Sequence, residues 1–195
     1  MKSIMNEIIS CHNLQELVFE DCVNLTNDTL SFLRNSNFKS LKKFTFRNCS
    51  GKNIYSSSSH NSLATIIRNS KNVLEEVRFG RKLKWFIRKI YDVGNIIMEE
   101  LIKCENLKVI ECCVLVNIVE EFLEMIQSLK TLEKIIISID CELSDNEIFW
   151  KRFANALNEN RHSLNELSIC IGGGITMGVS TCENELWIEM FEWFF

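Results

Sequence analysis

Nine cysteines and three histidines would suffice in number for a metal centre, but their spacing argues against one. There is no Cys-x-x-Cys, and His12, His60 and His162 are scattered. The adjacent pairs Cys11-His12 and Cys112-Cys113 would point to opposite faces of any strand that carried them. Four convergent ligands are therefore not in sight, and neither a metal nor any other cofactor is expected. The odd cysteine count also matches no disulfide framework, so reduced thiols in the cytoplasm or nucleus are the expectation. Nucleophilic and metal-assisted catalysis fare no better. Ser180 lies in no Gly-x-Ser-x-Gly, no His-Glu-x-x-His occurs, and no carboxylate pair stands apart from the surface acids. Gly172-Gly173-Gly174 invites a phosphate loop, yet the run continues Ile175-Thr176-Met177-Gly178, without the spaced third glycine or the lysine that such loops need. It reads as a flexible exit from a strand, and a non-enzyme is expected.

Cations offer one further chemistry. Arg78, Arg81, Lys82, Lys84, Arg88 and Lys89 interleave with Trp85 and Phe86, a mixture that could neutralise phosphates and stack on bases. The competing reading is a solvated helix whose Leu83, Phe86, Ile87 and Ile90 fill a core at helical spacing. No other basic cluster extends the patch and the isoelectric point is near 5.5, so nucleic acid is the alternative partner and not the expected one. Charge is nonetheless lopsided. Residues 1–97 hold 15 Lys/Arg against 8 Asp/Glu (+7) and residues 98–195 hold 7 against 18 (−11), which sum to the net −4. Such a dipole orients encounters without naming partners.

The elements that must position these residues follow from a repeat. A short apolar signature recurs at Leu14-x-x-Leu17-x-Phe19, Leu41-x-x-Phe44-x-Phe46, Leu74-x-x-Val77-x-Phe79, Leu107-x-x-Ile110-x-Cys112, Leu132-x-x-Ile135-x-Ile137 and Leu164-x-x-Leu167-x-Ile169. Each ends in period-2 alternation, as a strand with one buried face requires. Between them lie helical stripes: Leu63, Ile66 and Ile67; Ile118, Phe122, Met125 and Ile126; Phe149, Phe153 and Leu157. Short strands joined through helices pair in parallel, and stacked units bury a core that no single unit could build. The expected fold is α/β: a solenoid of about six units over residues 1–195, in one domain, with a parallel sheet on its concave face and helices on its convex face. Absent proline and only seven glycines make tight-hairpin β architectures unexpected. No window approaches 18 apolar residues, so no membrane span is expected, and the N-terminus carries no recognisable secretory signal. Ser56-Ser57-Ser58-Ser59 reads as a rim loop.

The unit Cys11–Leu30, with Cys11, Leu14, Leu17, Phe19, Cys22, Leu25-Thr26, Asp28 and Leu30 in place, resembles the cysteine-containing subclass of leucine-rich repeats. Cys49 recurs after Phe46, and Cys104 precedes Leu107 as Cys11 precedes Leu14. The resemblance covers roughly residues 4–172. It implies the horseshoe arc and, since such repeats are typical of F-box/leucine-rich-repeat proteins, a role in substrate recognition for an SCF-type ubiquitin ligase. No F-box is found. Ile4, Ile8 and Ile9 instead resemble the helix closing a preceding repeat, as in a piece of a longer array or a short paralogue. Cys22 and Cys49 fall where the family turns toward its convex side, and they read as small buried hydrophobes.

Residues between the buried strand positions should stack in columns on the concave face. The first is Glu16, Lys43, Glu76, Val109, Lys134 and Glu166. The second is Val18, Thr45, Arg78, Glu111, Ile136 and Ser168, and the third Glu20, Arg47, Gly80, Cys113, Ser138 and Cys170. In the first column, lateral neighbours of opposite sign could satisfy each other as a ladder. Alternatively, Val18, Glu20, Lys43, Thr45, Arg47, Arg78, Glu111, Cys113, Ile136, Ser138 and Ser168 form a protein-docking face, because exposed Val18, Ile136 and Cys113 are odd on a solvated surface. The aromatic tail, with Trp187, Phe191 and Phe194, reads either as a helix within 179–195 that caps the last unit or as an apolar patch for association or for a further repeat.

Overall fold

The computed structural model describes residues 2–51, 56–80, 94–139, 141–144, 146–171 and 175–180. Six strands, β1 (Glu16–Glu20), β2 (Lys43–Arg47), β3 (Glu76–Gly80), β4 (Val109–Val114), β5 (Lys134–Ile139) and β6 (Glu166–Ile171), pair in parallel and in sequence order. Their alternation decides which face is covered: Leu17, Phe44, Val77, Ile110, Ile135 and Leu167 all turn inward and are buried. The signature leucines Leu41, Leu74, Leu107, Leu132 and Leu164 are buried as well, while Leu14, at the end of the stack, is only partly covered.

Helices α1 (Lys2–Ser10), α2 (Asn27–Arg34), α3 (Ser57–Ser70), α4 (Asn95–Leu101), α5 (Val119–Ser128), α6 (Cys141–Ser144) and α7 (Glu147–Asn158) complete the units, with a 3-10 turn at Val116–Ile118 before α5. α1, α2, α3, α4, α5 and α7 form one layer in which each packs on the next. The expected stripes are the buried ones, and Phe122 meets Phe153 with ring centroids 5.9 Å apart.

The serine run is not a loop. Ser56 sits in extended backbone and accepts a hydrogen bond from the Ser59 amide, so Ser57–Ser59 form the first turn of α3. Serine competes for backbone groups in a helix interior but satisfies an orphan amide at a cap, and the run supplies that cap. Thr26 and Asn146 cap α2 and α7 in the same way.

The turns after β1 and β2 hold Asp21, Asn24 and Asn48 at φ of 54°, 60° and 52°, a region that Asn and Asp tolerate best among non-glycine residues. Gly51 has no room for a side chain, since a Cβ there would lie 1.6 Å from the Leu25 carbonyl oxygen. On the return side, side-chain donors tie one unit to the carbonyl of the last: Asn69 to Ser36, Asn106 to Asn72, Thr131 to Leu107 and Asn160 to Ile126.

A seventh strand, β7 (Ile175–Ser180), departs from the expected all-parallel sheet. It runs antiparallel to β6, with Ile171 opposite Ile175 and Glu166 opposite Ser180. Gly172–Gly174 lie outside the described residues, but the strands they join make a hairpin, so the lack of proline and the scarcity of glycine did not forbid one. Val179 and Ser180 belong to β7 and not to a capping helix; the rest of the expected cap, 181–195, lies outside the described residues. No described helix is long and apolar enough to cross a membrane.

Candidate functional site

The sheet face turned away from the helices carries the three columns in the register the alternation implied. Glu16, Lys43, Glu76, Val109, Lys134 and Glu166 each pair with the next; Val18, Thr45, Arg78, Glu111, Ile136 and Ser168 form the next row. Glu20 stands beside Arg47 and Arg47 beside Gly80, while Cys113 stands beside Ser138 and Ser138 beside Cys170.

Across β1 to β4 the charged members of these columns close on one another. Glu111 is the hub. Its carboxylate accepts Arg47 at 3.1 Å and Arg78 at 3.3 Å. Arg78 also donates to Glu76 at 2.5 Å, Lys43 approaches Glu76 at 3.8 Å, and Arg47 lies 3.9 Å from Glu20. Three acids and three bases thus form one chain of pairs with no net charge. Burial works against the Arg78 cation, but the hydrogen bond and charge of Glu76, with Glu111 behind them, outweigh it and raise its pKa.

Arg47 is on β2 and Glu111 on β4, two strand spacings apart, or about 9.6 Å. Gly80 stands beside Arg47 in the third column, and a Cβ there would meet only the Cys113 Sγ, at 3.8 Å, an ordinary contact. Its φ of 140° is one that L side chains rarely adopt. Arg47 keeps its Nε buried without a hydrogen-bond partner.

The docking residues expected from sequence therefore separate. Thr45 lies on this face yet is only 8% exposed, because Arg47 and Arg78 flank it and fold into the ion-pair chain; it offers little to a partner. Arg47, Arg78 and Glu111 are half-buried and engaged with each other across the second and third columns, whereas the ladder expected from sequence ran along the first, where Lys43 meets Glu76 and Lys134 meets Glu166. Lys43 is exposed, Glu20 half-exposed and paired, and Val18 stands 48% exposed at the sheet edge. Cys113, Ile136, Ser138 and Ser168 sit together on β4 to β6, half-buried and with short or apolar side chains. Lys134 and Glu166 flank them as a pair at 2.6 Å.

Two features escaped the sequence. Exposed Val23, Ile96, Val116 and Ile148 all fall on the rim where strands lead into helices, outside any strand alternation that would mark them. On the helix side, Glu100 is only 3% exposed and accepts from Arg68 at 2.8 Å and Lys103 at 3.0 Å. Its place one residue before Leu101 in the buried face of α4 was the available signal.

The three buried thiols are poor nucleophiles. Burial pushes Cys49 and Cys104 up to about 12 and Cys112 well above its ordinary value. Cys49 is buried as read, and its thiol donates to the carbonyls of Phe19 and Arg47, whereas Cys22 is only half-buried. Among the described residues no group of three or more His, Cys, Asp or Glu could hold a metal ion. Of the basic segment, only Arg78 is described, and it is bound to Glu76 and Glu111; Arg81–Lys89 lie outside the described residues.

No family model matches the chain, and no curated protein matches it in sequence. Among solved structures it is similar to the tropomodulin C-terminal domain of Caenorhabditis elegans, at 14% identity and a TM-score of 0.56, over 83% of this chain and 93% of that one. The likeness is one of fold: a leucine-rich-repeat-like solenoid.

Proposed function

We propose that this chain is a non-enzymatic scaffold that holds a protein partner against the open face of its sheet. The observation that carries the reading is the continuity of that face. Six parallel strands present side chains on one platform, two columns of them paired from β1 to β6 and a third paired over β1 to β3 and over β4 to β6, with helices on the other side. On β4 to β6 the platform is paved with Cys113, Ile136, Ser138 and Ser168, short enough for a partner's backbone to approach. The ion-pair chain on β1 to β4 gives orientation more than affinity, because its charges already neutralise each other. The finer reading, substrate recognition for an SCF-type ubiquitin ligase, rests on the resemblance of Cys11–Leu30 to cysteine-containing repeats.

Ile136→Arg with Ser168→Arg introduces two cations into the neutral half without touching the core. Affinity purification from cells is expected to lose at least tenfold of a specific protein set with this variant, while Lys43→Glu with Arg47→Glu reduces the same set less. A set unchanged by both variants overturns the open-face reading. Co-purification of SCF subunits with the unmodified chain separates the ligase role from a generic scaffold.

A further inference from the structure

Cys22 and Cys49 occupy the same place in two successive units. The register of β1 and β2 sets Glu20 opposite Arg47, and the same offset carried two residues further sets Cys22 opposite Cys49. The backbone keeps that offset through both turns. The Asp21 amide donates to the Arg47 carbonyl at 3.1 Å, the Ser50 amide to the Cys22 carbonyl at 2.8 Å and the Leu25 amide to the Ser50 carbonyl at 2.9 Å. Asp21 and Asn48, each just before its cysteine, share the left-handed conformation at φ of 54° and 52°. The two turns thus run side by side with one shape.

Their side chains converge. The Cys22 thiol donates to the Glu20 carbonyl at 3.6 Å, and the Cys49 thiol reaches across from its own unit to the Phe19 carbonyl at 3.4 Å. Carbonyls of successive β1 residues therefore hold both sulfurs, and the two thiols hydrogen-bond each other. Equivalent positions on paired strands stand about 4.8 Å apart, within the span of about 4.4–6.8 Å between Cα atoms that a disulfide bridges. The two thiols differ in access. Cys22 is half-exposed and Cys49 is buried, so Cys22 is the one that a small oxidant in solution meets first.

We propose that Cys22 and Cys49 form a redox pair, which hydrogen peroxide oxidises to a disulfide that locks the first unit to the second. The Cys22 sulfur attacks the peroxide: an S–O bond forms, the O–O bond breaks, and the thiol proton leaves with the departing oxygen as water. The Cys49 sulfur then displaces the hydroxyl of the Cys22 sulfenic acid. An S–S bond forms, the S–O bond breaks, and the Cys49 proton leaves in a second water. The two sulfurs give up two electrons and the peroxide takes them. Contact between the sulfurs offsets the weak acidity of buried Cys49, because the second step occurs within one molecule. In a reducing compartment the pair rests as thiols and the cross-link is transient. The open-face reading neither supports nor needs this pair.

The test treats the full reduced chain with hydrogen peroxide, caps the remaining thiols with N-ethylmaleimide and digests the product without reductant. Cleavage after lysine, arginine and glutamate parts Cys11 from Cys22 and leaves Cys22 in residues 21–34 and Cys49 in residues 48–52. Mass spectrometry is expected to find these two peptides joined, and to find them separate after reduction. Oxidation should raise the Tm of the parent chain by roughly 5–10 °C through the loop that the bond closes. Cys22→Ser, at a half-exposed position, should abolish both the joined peptides and the Tm rise, and it carries the test if the buried Cys49→Ser does not fold. Recovery of both cysteines capped, Cys22 as sulfinic acid beside capped Cys49, a bond from Cys22 to Cys11 or to a second copy, or a Tm rise that survives Cys22→Ser would each overturn the proposal.

Discussion

The open face of the sheet has two halves that share a backbone but not a surface. Over β1 to β3 the outward side chains are mostly long and charged, and all the charged ones but Glu16 join one another and Glu111 on β4. Over the rest of β4 to β6 they are mostly short or neutral: Cys113, Ile136, Ser138, Ser168 and Cys170. Beneath both, the inward residues are apolar and buried. The helix-facing side thus supplies the stability common to both halves, and the outward side is free to differ. In one half the outward groups are joined by ion pairs that cross from strand to strand; in the other, beside the Lys134–Glu166 pair, they are short or neutral.

The sharpest way to break this contrast is at Gly80. Gly80→Ala forces a side chain onto a φ of 140°, a strain that holds whatever the space beside it. It should destabilise the chain by about 1–3 kcal/mol in chemical denaturation. Ser138→Ala, in the same column of the other half, should stay within about 0.5 kcal/mol.

Glu111→Gln comes next. It leaves two half-buried guanidinium groups without their shared carboxylate and should cost about 1–2 kcal/mol, mostly by stranding those cations. A loss no greater than that of Ser138→Ala would mean the ion-pair chain contributes nothing and the two halves are energetically alike.

The smallest effect lies on the helix side, where a carboxylate is buried instead of sharing an open face. Arg68's hydrogen bond holds Glu100 below the ordinary carboxylate value of 4.5, against the opposing cost of burial and with help from Lys103. A depressed folded-state pKa contributes stability that is present above the ordinary value and lost as pH falls through the folded one. Stability measured from pH 7 down to pH 3 should therefore fall less steeply in Glu100→Gln than in the parent chain below about pH 4.5. Identical slopes would show that the buried pair contributes no more than an exposed one.

Much of this was legible beforehand, for reasons that differ by residue. The column order, from Glu16 through Glu166, followed from alternation and repeat spacing, since a one-residue slip would have turned every apolar side chain outward. Cys49 and the stripe Phe149, Phe153 and Leu157 followed from the same periodicities. The serine run misled because serine is common in loops and at helix starts alike, and only the Ser56–Ser59 hydrogen bond distinguishes them. β7 was missed because Ile175–Ser180 contains a glycine and two polar residues and repeats no signature. Thr45 was expected to be exposed because its own strand says so; its burial comes from the arginines beside it.

By itself, the sequence determined the repeating strand–helix unit, the face each strand buries and the lateral neighbours of each outward residue. Those are consequences of period and register, which the chain carries locally. Only the tertiary structure decided that Arg47 reaches across β3 to Glu111 and that β6 turns back into β7. Each of these depends on how far a side chain reaches across strands or on what lies beyond the end of a stack, and neither is written in the spacing of residues along one segment.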